Sequence, residues 1–158
     1  MPTCIVEHAD EYTSFIAFLA QAASRSGDLD LASAAYLVNR RINNFDCFYT
    51  RNLPSIFHLE HPLGSVIGNA NFGNYLVVYQ GVSVGGDLKL RYPSFGDGVA
   101  LYARSSVIGD CSIGNNVAIG AGVQVFAERI ESNTAVSLRM HKRCEAPINW
   151  SVRERFFR

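Results

Sequence analysis

Phe95, Leu101, Val107, Ile113, Ile119 and Val125 stand six residues apart in this 158-residue chain, without a slip. Phe72, Val78 and Val84 keep the same step upstream. Four places after most of these comes a second small or apolar residue: Leu76, Val82, Val99, Ser105, Cys111, Val117 and Val123. Glycine follows several, as at Gly73, Gly85, Gly96, Gly114 and Gly120. Neither the 3.6-residue period of a helix nor the two-residue period of a plain strand produces this spacing. A sustained step of six means short flat segments joined by tight corners. Three segments close a triangular coil of about eighteen residues, and successive coils stack as parallel strands about 4.8 Å apart. The ladder residues then point into a narrow prism, with Asp97-Gly98 and Asn115-Asn116 as corners. An antiparallel sandwich would not hold such a register. The rhythm breaks between Gly86 and Phe95. Leu90 keeps the step from Val84, but the polar, irregular segment around it reads as a short loop pushed out from the prism, a place where function tends to sit.

The repeats divide the chain into a helical region at 1–45, a repeat region at 46–136 and a tail at 137–158. In the first, Tyr12, Phe15, Ile16 and Leu19 follow the spacing of one helix face, as do Leu31, Ala35 and Val38 after the break at Ser26-Gly27-Asp28. Asp28 or Asp30 is the expected cap of the second helix. The tail carries six basic residues against two acidic ones, interleaved with Trp150, Phe156 and Phe157. Its expected role is to pack aromatics on a neighbour while the arginines stay solvated or meet a cofactor's phosphates. The whole chain has 14 basic and 14 acidic residues, so no net field steers it to nucleic acid. Charged residues are only 18 % of the chain, low for a lone soluble domain, which points to surface buried in an oligomer. No apolar run approaches the roughly 20 residues of a membrane span, and the N-terminus shows no signal-peptide pattern, so a cytoplasmic protein is expected. Cys4, Cys47, Cys111 and Cys144 are scattered without a Cys-x-x-Cys pair and read as reduced thiols.

Two of the four histidines lie in Phe57-His58-Leu59-Glu60-His61-Pro62, at the entrance to the repeats. A metal shared by His58 and His61 would need a third ligand that the repeats do not supply as histidine, so no metal is expected. As a general base, a histidine needs a carboxylate on its far ring nitrogen and an acceptor hydroxyl in reach. Asp46 lies fifteen residues before His61, nearly one coil, so the two could stand on neighbouring levels.

The stretch from Asp46 to about Val136 resembles the bacterial serine acetyltransferases, members of the left-handed parallel β-helix (hexapeptide-repeat) acyltransferases. Leu-Glu-His-Pro-Leu-Gly-Ser-Val-Ile-Gly at 59–68 is similar to that family's Leu-Asp-His-Ala-Thr-Gly-x-Val-Val-Gly. Gln-Gly-Val-Ser-Val-Gly-Gly at 80–86 is similar to Gln-Ser-Val-Thr-Leu-Gly-Gly, and Arg91-Tyr92-Pro93 to Arg-His-Pro. The resemblance implies a mainly β fold: a left-handed parallel β-helix with a short helical region before it and a tail after it. It implies His61 as catalytic base with Asp46 as its partner, and Glu60, Arg91 and Tyr92 as acceptor-binding positions. It implies Gly85, Gly86, Ala103, Gly120 and Ala121 along an acetyl-CoA groove, where small residues leave room for a pantetheine arm. It also implies a homotrimer or dimer of trimers with the site between adjacent prisms. Tyr92 for histidine, Glu60 for aspartate, and Tyr102 and Arg104 for glycines depart from the pattern, as does the short helical region. The acceptor pocket therefore reads as rebuilt around retained thioester chemistry.

The expected function is direct acetyl transfer from acetyl-CoA to the hydroxyl of a small acceptor, either serine or a related hydroxy amino acid, or a sugar of an envelope polysaccharide. Backbone N–H groups near Gly85 and Gly86, or another donor, would steady the oxyanion. Cys111 sits on an inward ladder position, so no covalent cysteine relay is expected. The alternatives are a non-catalytic trimeric scaffold and, less favoured, a zinc carbonic anhydrase-like hexapeptide protein.

Overall fold

A computed structural model describes residues 8–157, so Cys4 lies outside the described residues. Three parallel sheets form the faces of a prism. The first face stacks the strands Phe57–Leu59, Leu76–Val78, Val99–Leu101, Val117–Ile119 and Thr134–Arg139. The second stacks Val66–Ile67, Ser83–Gly85, Ser106–Ile108 and Gln124–Phe126, and the third Ser94–Phe95, Ser112–Ile113 and Arg129–Ile130. The six-residue ladder is the core: Val78, Val84, Leu101, Val107, Ile113, Ile119 and Val125 are all buried, and Phe95 with them. The second set fills the same interior, including Val82, Val99, Cys111 and Val123. A mainly β parallel helix preceded by helices and followed by a tail is thus what the register predicts and what the chain forms.

The corners between the third and first faces are stitched by side chains. Asn74 Oδ1 accepts from the Ile56 N–H, Asp97 Oδ1 from the Asn74 N–H, Asn115 Oδ1 from the Asp97 N–H, and Ser132 Oγ from the Asn115 N–H. Each short polar side chain satisfies a backbone donor of the coil before it, which is why Asn, Asp and Ser recur there.

Two departures from the eighteen-residue coil shape the surface. Ser83 to Ser94 takes eleven residues where the next coil, Ser106 to Ser112, takes six. The surplus is the loop around Asp87–Tyr92. Leu90 belongs to that loop and is 72 % exposed, so its six-residue step from Val84 is coincidental. The other departure is at the first corner. Phe57 pairs with Leu76, nineteen residues on, but Val66 pairs with Ser83, only seventeen on. The chain therefore spends two extra residues between Glu60 and Leu63, and those residues are His61 and Pro62.

Helix α1 (Ala9–Ser26) and helix α2 (Leu29–Ile42) form a hairpin beside the first coil. Gly27 closes α1 in the left-handed region, and Asp28 caps α2 by accepting from the Leu31 N–H at 3.0 Å. The hairpin packs through small residues (Ala17, Ala20, Ala23, Ala32 and Ala35) with Ile16. Asn39 Nδ2 donates to the Thr13 carbonyl at 3.0 Å in the buried seam. Phe15 and Leu31, expected on the packed faces, are only about half covered, at 48 % and 42 % exposure, while the alanines are buried. Phe18 ties α1 to the prism by its ring contact with Phe57, centroids 4.7 Å apart.

The tail begins as a hairpin, Thr134–Arg139 with Lys142–Pro147, turning through Met140 and His141, both at positive φ. It then returns across the outside of the first face, where helix α3 (Val152–Phe156) buries Val152 against Val77 and Ala100. Its aromatics pack on this chain's own prism.

Candidate active site

The doubled-out corner lifts His61 away from the prism. Its φ is +47°, a left-handed conformation that costs a non-glycine residue on the order of 1–2 kcal/mol. Two contacts hold it there, both from Asp10 in the first turn of α1. Asp10 Oδ2 accepts the His61 backbone N–H at 3.0 Å and lies 3.2 Å from Nδ1 of the same ring. The side chain is 71 % exposed, and its Nε2 lies 3.8 Å from Glu60 Oε1. The other Glu60 oxygen is 2.7 Å from His58 Nε2, so one carboxylate stands between two imidazoles. A cavity of about 200 Å³ opens beside the His61 ring between the start of α1 and the end of α2, with Asp10, Thr13 and Asn43 in its wall.

Asp46 is one coil level above Val66, to which its backbone pairs, but its carboxylate does not meet His61. Tyr36 donates its hydroxyl to Asp46 Oδ1 at 3.0 Å, and Arg40 Nε lies 3.4 Å from Oδ2. Burial, then this hydrogen bond and the charge behind it, pushes the Tyr36 phenol above its ordinary value. The expected His61–Asp46 contact is thus replaced by one with Asp10, fifty-one residues away in sequence.

The remaining predicted residues fall at two different corners. Ala103 and Ala121 follow Leu63 and Gln80 down the corner column beside the His61 extension, joined by the Gly122 N–H to the Ala103 carbonyl at 2.9 Å and the Arg104 N–H to the Gln80 carbonyl at 2.8 Å. Gly120 stands just before that corner, on the first face, where a Cβ would sit 2.7 Å from the Val136 carbonyl oxygen. Gly85, Gly86, Arg91 and Tyr92 lie across the second face, five residues of extended chain away, on the order of 16 Å. There the Arg91 guanidinium closes the loop on Asp87, with Nε to Oδ2 at 2.8 Å and Nη2 to Oδ2 at 2.5 Å. This holds the Asp87 carboxyl below its usual range and raises the Arg91 guanidinium further. Arg91 Nη1 also approaches Asp110 at 3.8 Å. Tyr92 lies over Gly86, while a Cβ on Gly85 would meet nothing within 4 Å. The loop, Ile108 and Phe126 enclose a mainly apolar cavity of about 540 Å³.

Among the described residues no group of three His, Cys, Asp or Glu side chains is arranged to hold a metal ion, and no helix is long and apolar enough to cross a membrane. Cys111 is buried in the ladder, with Sγ 3.2 Å from the Ile108 carbonyl oxygen. Asp10 carries no sequence signal for this position, since nothing in the helix pattern links it to a corner so far along the chain. The extra corner does carry one: the inward residues Leu59 and Ile67 are eight apart, where Val78 and Val84 are six apart.

Residues 92–127 match the bacterial transferase hexapeptide (six repeats) family. The serine acetyltransferase of Synechococcus elongatus is 38 % identical over 84 residues, which is 51 % of this chain and 34 % of that protein. The Staphylococcus aureus serine acetyltransferase is 31 % identical over 117 residues, 67 % of this chain and 55 % of that protein. The chain therefore spans between a third and just over half of these relatives. Among solved structures, Neisseria gonorrhoeae serine acetyltransferase in complex with serine aligns with TM-score 0.74 and 26 % identity, over 85 % of this chain and 56 % of that one. Brucella abortus serine acetyltransferase in complex with coenzyme A shares the fold at TM-score 0.77 and 21 % identity, over 90 % of this chain and 58 % of that one.

Proposed function

The chain is a serine acetyltransferase-like hexapeptide-repeat protein, and on that premise we propose that it moves an acetyl group from acetyl-CoA to the hydroxyl of a small acceptor. The observation that carries this reading is His61, raised on a two-residue extension of the first corner, with a carboxylate oxygen 3.2 Å from Nδ1. A carboxylate beside Nδ1 favours the tautomer that keeps its proton on Nδ1, so Nε2 retains a free lone pair, the form a general base requires. Nε2 removes the acceptor's hydroxyl proton, the oxygen attacks the thioester carbon, and coenzyme A leaves as its thiol. Such a base supplies roughly 10²–10⁴ of rate.

The acyl donor's place is supported by the apolar cavity of Leu88, Ile108 and Phe126 beside the open backbone of Gly85. Ala103 and Ala121 stand at the opposite edge of the same face, with Gly120 just around that corner. Because His61 and the Gly85–Tyr92 loop occupy different corners of one prism, a complete site forms where one copy's histidine corner meets the next copy's loop. That favours a homotrimer, or a dimer of trimers, over an isolated chain. Large apolar side chains exposed on the helices, among them Phe15, Leu29 and Ile42, fit burial in such an assembly. A cytoplasmic location accords with a coenzyme A-dependent reaction and belongs to the same proposal.

The preferred acceptor is serine or a related hydroxy amino acid. The 200 Å³ cavity beside His61 suits a molecule of that size. Glu60 offers a carboxylate for an acceptor ammonium at the same corner. Arg91 is held by Asp87 through Nε and Nη2, which leaves Nη1 for an acceptor carboxylate, and Tyr92 packs on the loop at its side. The test is thiol release from acetyl-CoA with serine, homoserine and nucleotide sugars as acceptors. Serine-dependent release that disappears in His61→Ala, with the assembly intact, is the expected result. Full activity in that variant removes the base, and release only with a nucleotide sugar overturns the acceptor.

A further inference from the structure

We propose that His58 is a positioning residue for the acceptor: it holds the Glu60 carboxylate at the catalytic corner and ties that carboxylate to the docking of helix α3. The inference rests on the acetyl-transfer reading, in which Glu60 faces the acceptor beside His61. His58 is out of pattern where it stands. It heads an outward column of the first face, in register with Val77 and then Ala100, both buried under Val152 of the tail. The two residues beneath it are apolar, yet the column opens with an imidazole. Its Nε2 lies 2.7 Å from Glu60 Oε2 in hydrogen-bond geometry. A carboxylate only accepts, so Nε2 donates. The other oxygen, Oε1, is turned toward the base, 3.8 Å from His61 Nε2.

The tail holds the imidazole from outside. Phe156 stacks on it with centroids 6.5 Å apart and planes at 29°, and Phe157 meets it edge-on at 6.4 Å and 80°. The same two phenylalanines reach Tyr79 and Tyr75 of the next coil, so the end of α3 spans two levels of the first face. A glutamate side chain has three torsions to freeze, and fixing one oxygen in advance removes much of that cost from acceptor binding. Tail docking and acceptor binding thus share one imidazole. The end of α3 seats the ring, the ring seats Glu60, and Glu60 presents its second oxygen to an acceptor ammonium beside the base. The effect belongs to the acceptor alone, because neither His58 nor Glu60 lines the cavity of Leu88, Ile108 and Phe126 proposed for the acyl donor.

The experiment uses the full chain with acetyl-CoA and serine, comparing His58→Leu, His58→Gln, the double variant Phe156→Ala with Phe157→Ala, and all three changes together with His58→Leu. His58→Leu removes the donor and keeps an apolar contact for the tail. It is expected to raise KM for serine about five- to twentyfold while KM for acetyl-CoA and the Trp150 emission stay at the parent values. His58→Gln, which keeps an N–H at that reach, is expected to recover most of the serine KM. The phenylalanine double variant is expected to raise the serine KM in the same direction and to add little in the His58→Leu background, the non-additivity of groups acting in one chain. Proton NMR is expected to show the His58 Nε2–H far downfield in the parent, lost in Glu60→Ala and broadened in the phenylalanine double variant. A parental serine KM in His58→Leu overturns the proposal, as does a His58→Gln no better than His58→Leu. Fully additive effects overturn the link to the tail. Absence of the downfield proton in the parent overturns the positioning role even if His58→Leu fails to fold. If His61→Ala keeps activity, the acetyl-transfer reading fails by itself, and the proton signal still decides whether the tail sets Glu60 through His58.

Discussion

The Tyr92 ring lies directly against the α-carbon of Gly86: a Cβ built on Gly86 would come within 2.6 Å of Tyr92 Cε1 and 3.2 Å of the Arg91 carbonyl oxygen. The adjacent Gly85 has no atom within 4 Å of the same construction. Two neighbouring glycines thus have different reasons to be glycine. Gly86→Ala is expected to push the ring off, loosen the loop at 87–92 and cost about 1–2 kcal/mol, the range of overpacking a tight contact. Gly85→Ala is expected to leave the melting temperature unchanged and raise KM for acetyl-CoA, because its methyl would enter only the proposed donor groove. Melting curves beside donor titrations check both. A destabilised Gly85→Ala would remove that glycine from the groove.

Asn116 latches the tail. Its Oδ1 accepts the Val152 N–H at 3.0 Å, and its Nδ2 donates to the Trp150 carbonyl and to Asn133 Oδ1, both at 3.1 Å. Its φ of +52° is a conformation that asparagine tolerates better than most residues. Asn116→Asp keeps the shape but loses the Nδ2 donor, and each lost bond at a part-buried site is worth about 1 kcal/mol. The expected outcome is a tail that peels from the first face while the prism stays folded. Trp150 is the chain's single tryptophan, so its emission reports the release directly, and protease cleavage near residue 150 should accelerate. Unchanged emission would mean that Val152, Phe156 and Phe157 hold the tail without the latch.

How much of this was legible beforehand depends on the range of the interaction. The ladder from Phe95 to Val125 is a local pattern repeated, so it names the buried residues one by one, and even the Asp97-Gly98 and Asn115-Asn116 corners follow from it. Leu90 misled because a six-residue step continues on paper through a loop that leaves the prism. The candidate site was harder to read. His61 stood out by resemblance and by its place at the repeat entrance. Its contact with Asp10 depends on how a helical hairpin docks on the first coil, and that is set by Ala17 and Phe18 meeting the prism rather than by any spacing. The two-residue excess that frees His61 was countable, between Leu59 and Ile67, once those residues are known to face inward.

Ser105 sits at an inward position of the prism, between coils that place Val82 and Val123 there, and its Oγ has no hydrogen-bond partner. The equivalent Ser65, one coil above Val82, is satisfied: it donates to the Tyr79 carbonyl at 2.8 Å and accepts the Val82 N–H at 3.1 Å. A buried hydroxyl without a partner costs about 1–3 kcal/mol, whereas the lost volume of one oxygen costs less. Ser105→Ala is therefore expected to be neutral or stabilising by up to about 1 kcal/mol, and Ser65→Ala destabilising. Parallel denaturant melts decide it, and equal losses in both would show that Ser105 has the same satisfied role as Ser65.

Cys47 gives a pH dependence whose sign is fixed by burial. Desolvation, then the neighbouring Asp46 charge, pushes its thiol from an ordinary 9.0 up to about 12. The folded state therefore keeps the proton where the unfolded chain releases it. The stabilisation is fully present below pH 9 and is lost progressively as pH rises from there towards 12, at about 1.4 kcal/mol per pH unit for one thiol. Cys47→Ala should flatten that alkaline loss while lowering stability at pH 7 by the small cavity it leaves. Native-state alkylation at pH 8, read by peptide mass, should modify the part-exposed Cys144 well before Cys47 or Cys111. An alkaline limb of the same slope in Cys47→Ala would assign the loss to tyrosines or to other thiols instead.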